Sequence, residues 1–128
     1  MADDIGCMSF KHLGASASRS FVAFHNAVGP LDLNVVFQPI VDLSTRKLFA
    51  LEALVRCSAD GLSSPPILFE HAVKHAYCGR LGRAIRELTV DRCPGVPIFT
   101  NVHPGDPAQR WLIRPDAPIF SHDTDVYF

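Results

Sequence analysis

Two runs of strand-forming residues stand very close together in the first half of this chain. Leu33 to Val41 (Leu-Asn-Val-Val-Phe-Gln-Pro-Ile-Val) and Leu48 to Arg56 are separated only by Asp42-Leu43-Ser44-Thr45-Arg46-Lys47. A parallel crossover takes about a dozen residues or more, so strands this close pair antiparallel, as a hairpin. Every other element must be arranged around that pair.

A helix follows. Ser63-Ser64-Pro65-Pro66 makes a turn, and from Leu68 to Arg92 the apolar residues Phe69, Ala72, Val73, Ala76, Leu81, Ala84, Ile85 and Leu88 fall at helical spacing. Gly79 and Gly82 weaken the pattern and point to a kink or a helix in two pieces. Pro94-Gly95 closes it, and Val96 to Val102 reads as a third strand. With a helix between them, the second and third strands are expected to run parallel. A short helix is predicted near Ala108 to Leu112, and Asp125-Val126-Tyr127-Phe128 opens a fourth strand. Upstream, Phe21, Phe24 and Val28 mark a short amphipathic helix from Arg19 to Val28, ended by Gly29-Pro30. Residues 1–17 carry no sustained period and read as a flexible leader, leaving residues 18–128 as one α/β domain.

The composition narrows the function classes. The 128 residues are 48% hydrophobic and 20% charged, with a formal net charge of −1, which suits a packed globular chain. That balance argues against a nucleic-acid polymer or a membrane surface as partner, because both need a concentrated positive field. The apolar runs fall short of the roughly 20 residues that span a bilayer. An acidic opening, Met1-Ala2-Asp3-Asp4, is unlike a secretory signal, so the expected location is cytoplasmic. Cys7, Cys57, Cys78 and Cys93 are scattered, without a paired motif, and are read as packing thiols.

Side chains alternate across a strand. Glu52, Leu54 and Arg56 therefore share one face of the second strand, while Leu51, Ala53 and Val55 share the other. A carboxylate and a guanidinium on one face either neutralise each other structurally or hold a metal ion and a phosphate. Asn101, near the end of the third strand, is either a turn-former or an oxygen ligand for a hard cation at the strand ends that border ligand sites in α/β proteins. Gln38 is either an exposed edge residue or a hydrogen-bonding group aimed at a ligand. His71 and His75 are four apart on the predicted helix, but a zinc-hydrolase motif would need Glu where Ala72 stands, and that reading is rejected.

Taken together, Phe37-Gln38-Pro39-Ile40-Val41-Asp42-Leu43, Leu51-Glu52-Ala53-Leu54-Val55-Arg56, Leu81-Gly82-Arg83-Ala84-Ile85 and Phe99-Thr100-Asn101-Val102-His103-Pro104 resemble, in order, the opening of an EAL domain. The tripeptide Glu52-Ala53-Leu54 is the signature from which that family takes its name. The resemblance runs from about Arg19 to Phe128 and covers the N-terminal portion of such a domain. It implies a partial (β/α)8 TIM-like barrel whose first strand is antiparallel. It implies further that Glu52 and Asn101 are metal ligands, and that Gln38, Leu54 and Arg56 contact the bacterial messenger cyclic di-GMP. Complete members hydrolyse this dinucleotide to pGpG with Mg or Mn ions. The family's next metal-binding glutamate is expected just after Phe128, and the later acids and the active-site lysine have no counterpart among these residues, so the chain is expected to be inactive alone. His103 stands where many members have serine. A non-catalytic module that binds cyclic di-GMP or a protein is the alternative, and an open sheet edge invites self-association or a partner domain that completes the barrel.

Overall fold

A computed structural model describes residues 24–29, 31–93, 95–104 and 116–128. The leader at 1–17, the first half of the predicted helix from Arg19 to Val28 and the predicted helix at Ala108 to Leu112 lie outside them. Within them, residues 24–27 form a helical turn. The elements that follow are β1 (Leu33–Val41), β2 (Leu48–Cys57), α1 (Pro65–Lys74), α2 (Cys78–Arg92), β3 (Ile98–Thr100), a 3-10 helix (Pro118–Ser121) and β4 (Val126–Tyr127). The fold is mixed α/β, with one four-stranded sheet in the order β1-β2-β3-β4. The hairpin is antiparallel as expected, and β3 and β4 then add in parallel.

The turn between β1 and β2 is held by a carboxylate. Asp42 accepts hydrogen bonds from the backbone N–H of Ser44 (2.8 Å) and of Thr45 (2.9 Å) and from the Ser44 hydroxyl (2.6 Å). Arg46 takes a left-handed conformation at φ 57°, which lets the chain re-enter the ladder. These donors, the Ser44 hydroxyl foremost, hold the Asp42 carboxyl down at about 2.

The sheet buries one face. Leu33, Val35, Val55 and Cys57 point toward the helices and pack with Leu62, Leu68, Ala72, Tyr77, Leu81 and Ile85, and Ala53 between them on β2 is buried as well. A smaller cluster of Cys93, Ile98 and Ile119 joins the end of α2, the start of β3 and the 3-10 helix. Cys57, Cys78 and Cys93 are all buried, in keeping with a packing role. No helix among the described residues is long and apolar enough to cross a membrane.

The long predicted helix is two helices, and the break is not at the glycines. It begins at Pro65 rather than Leu68, because proline suits the first turn, where its missing N–H costs nothing. It breaks at Ala76, whose φ is 59°. The Ala76 N–H donates to Val73 O (3.1 Å) and the Tyr77 N–H donates to Ala72 O (2.9 Å). That is the Schellman arrangement, with alanine at the left-handed position that glycine usually fills. Gly79 and Gly82 lie inside α2. β3 is also shorter than the predicted run from Val96 to Val102, spanning only Ile98–Thr100.

Two outcomes are expected. Ala76→Gly should stabilise the chain by about 1 kcal/mol, since the left-handed conformation penalises a Cβ by that order; urea unfolding measures it, and a loss of stability would mean that the turn is not held left-handed. Because the folded Asp42 carboxyl is depressed from 3.8 to about 2, its contribution is present above pH 3.8 and is lost as pH falls through about 2. A carboxyl-carbon NMR titration of Asp42 should find its midpoint near the lower of those values.

Candidate functional site

The second face of the sheet carries the predicted site residues. Register pairs Gln38 with Glu52, Val36 with Leu54 and Asn34 with Arg56. Partners in a ladder point the same way, so all six side chains share the face turned away from the helices. Gln38, Val36 and Arg56 are exposed and Glu52 and Leu54 half-buried, so no described element covers this face.

β3 brings the fifth predicted residue to the same place. Phe99 is the parallel partner of Glu52, and Asn101 follows two residues later, just beyond the strand. The Asn101 amide donates to the Glu52 carboxylate at 3.2 Å, a contact between residues 49 apart in sequence. A carboxylate and a carboxamide, both hard oxygen donors, thus converge at the C-terminal side of β3. Turning the amide over presents its carbonyl instead of its N–H.

Arg56 is not part of that contact. Four residues of extended strand separate it from Glu52 by roughly 13 Å, so the two do not neutralise each other. Its guanidinium donates to the Val55 carbonyl beside it at 2.8 Å. Being exposed, it can swing toward an anion without breaking a buried contact. Near it, Asn34 accepts a hydrogen bond from Arg92, which ties the end of α2 to β1. Gln38 stands directly across from Glu52, and Leu54 lies between Glu52 and Arg56 along the strand.

Three rings missed by the sequence reading complete the face. Phe99 stacks on Tyr127 with centroids 4.6 Å apart and planes 17° apart, and Phe49 leans on both at 6.4 and 6.1 Å. Phe99 and Tyr127 are register partners on neighbouring parallel strands. Together they form an aromatic shelf on the β4 side of Glu52.

The donors suit a hard cation such as Mg or Mn in kind. In number they are few, because no group of three or more His, Cys, Asp or Glu gathers among the described residues. An ion held by Glu52 and Asn101 would keep water in most of its coordination positions.

His103 departs from the sheet face and packs under α1. Its ring stacks on Phe69 at 5.0 Å and its Nδ1 lies 3.7 Å from the Cys78 sulfur. It borders a groove lined by Pro65, Pro66, Phe69, Glu70, Val73 and Lys74.

The Glu52–Asn101 contact is half-exposed and neutral at one end, so its removal costs little. Asn101→Ala should change unfolding free energy by less than about 0.5 kcal/mol. A urea titration showing a loss several times larger would make Asn101 a structural residue.

Comparison with known proteins found no matching family model, no matching curated protein and no matching solved structure.

Proposed function

We propose that this chain is the N-terminal portion of an EAL-family cyclic di-GMP domain, and that its uncovered sheet face is the part of the nucleotide site these residues supply. One observation carries the reading. Glu52 and Asn101, singled out on different strands as metal ligands, meet at 3.2 Å on the same face. The strand directions add support, since an antiparallel first strand followed by parallel ones is what the resemblance to the opening of an EAL domain implies.

In this reading each residue has a task set by its chemistry. Glu52 and the Asn101 carbonyl hold one edge of a hydrated Mg or Mn ion, which when bound would offset phosphate charge and activate water. Arg56 offers its guanidinium to a phosphate of the dinucleotide. Gln38 hydrogen-bonds the nucleotide from across the hairpin, and Leu54 supplies apolar contact between the two charged groups. The stacked Phe99 and Tyr127 resemble one layer of the side-chain filling inside a barrel, and they floor the site.

Two oxygen donors do not make a two-metal hydrolase. The chain therefore binds without turnover when alone. The alternative reading, a non-catalytic module that engages cyclic di-GMP or a protein, draws on the same scarcity of ligands and on the exposed Val36 beside Leu54. A second copy or a partner domain laid against this face would complete the site in either case.

The test is a titration of the purified chain with cyclic di-GMP and Mn ions, with pGpG followed in parallel. Saturable binding without pGpG is expected, weakened about tenfold or more in Glu52→Ala and in Arg56→Ala, equivalent to about 1.4 kcal/mol each. A folded chain that binds nothing, or that binds equally well in both variants, would sink the proposal. Glu52-dependent formation of pGpG would instead mean that subunits associate to assemble the full ligand set.

A further inference from the structure

Away from the sheet face, two imidazoles meet at the end of α1. His71 and His75 are one helical turn apart, with ring centroids 4.2 Å apart and planes inclined by 34°. His75 is the C-cap residue and is exposed, so its ring can turn without disturbing the core. His71 is half-buried and already oriented: its Nδ1 lies 2.7 Å from the Tyr77 hydroxyl. That hydroxyl belongs to a fully buried side chain, which also packs on Phe24 at 5.6 Å between centroids. The left-handed turn at Ala76 delivers Tyr77 back under the helix it has just left.

This is the outer arrangement that metal-binding histidines use. One ring nitrogen is engaged by a hydrogen-bond partner, which fixes the ring and leaves the other nitrogen for the ion. The ligating tautomer of His71 carries its proton on Nδ1 and donates it to the Tyr77 hydroxyl oxygen, which leaves Nε2 for the ion. Imidazole nitrogens bind zinc at about 2.0–2.1 Å, which requires two coordinating nitrogens roughly 3 Å apart. The ring centres are 4.2 Å apart, and His75, being exposed, is the ring free to turn so that its nitrogen meets the same ion.

We propose that His71 and His75 form a two-nitrogen site for a borderline divalent transition ion, Zn or Ni, with Tyr77 as the positioning residue that holds His71. Water fills the remaining positions. Ala72 stands where a zinc hydrolase needs its general base, so the site binds and does not hydrolyse. Burial, with His75 and Lys74 nearby, lowers the His71 pKa from 6.5 and keeps the ring in its neutral, ligating form. A bound ion would bridge the last turn of α1 to the residue that caps it, clamping the segment that leads into α2.

The full chain is titrated with zinc chloride while the histidine ring signals are followed by NMR. The rings of His71 and His75 are expected to shift together and saturate at one ion per chain. His75→Ala, at an exposed position, should weaken that binding by about tenfold or more, and Tyr77→Phe, which keeps the buried ring, by about ten- to a hundredfold. The proposal fails if neither ring shifts at millimolar zinc, or if zinc affinity is unchanged in His75→Ala. Unchanged affinity in Tyr77→Phe would overturn the role given to Tyr77.

Discussion

The pairing of β1 with β2 is the constraint on which the remaining structure rests. From Leu33 opposite Cys57 to Ile40 opposite Ala50 the ladder runs without a shift. Because side chains alternate, a slip of one residue by β1 would send Leu33 and Val35 into water and Asn34 into the core, and a slip by β2 would expose Val55 and Cys57 and bury Glu52 and Arg56. Burying an unpaired carboxylate or guanidinium costs several kcal/mol, so the register is held by penalty as well as by attraction. The geometry of the site depends on that register. It sets Gln38 across from Glu52, and it presents the far edge of β2 to β3, which carries Asn101 in.

Much of this was legible because it followed from local rules. The short loop between two strand-forming runs dictated an antiparallel hairpin, and a helix before the third strand dictated a parallel one. Alternation in Leu51 to Arg56 separated the polar face from the apolar one. Strand rules put Asn101 at a C-terminal strand end, and only the resemblance to an EAL domain coupled it to Glu52 as a second metal ligand. What escaped depended on backbone conformations that the residue types do not advertise. Ala76 adopts a left-handed φ although nothing about alanine announces it, and so the helix break fell outside the reading that suspected Gly79 and Gly82. Phe49 escaped for a related reason. The register shifts between Ile40 and Val41, and Val41 pairs with Leu48, leaving Phe49 out of the count. Carried back from Leu51, strict alternation would turn that ring toward the helices. The partner of Arg56, a carbonyl one residue away, was invisible to any argument about charge pairs.

The two faces of the sheet also divide the chemistry. On the helix side the polar groups are few and mostly engaged close by, as when the buried Thr89 hydroxyl donates to the Ile85 carbonyl at 2.8 Å. The hydroxyl of Thr100 is the exception, buried with no hydrogen-bond partner among the described residues. On the open side the polar groups are spaced along strands at intervals too long for mutual neutralisation. A surface of that kind keeps its donors and acceptors available, at the cost of leaving Val36 and part of Leu54 in water.

Strand order has a consequence for how the molecule is made. The sheet runs β1-β2-β3-β4, the order in which the strands leave the ribosome. Each described strand after the first docks on the edge left by the one before it in the chain. The hairpin needs no residue beyond Cys57 to form its ladder, and α1 and α2 then supply the hydrophobic cover before β3 arrives. Sheets with mostly neighbouring connections close short loops first and so meet smaller entropic barriers. Assembly can therefore proceed strand by strand during synthesis, with the growing edge always the most recently made one.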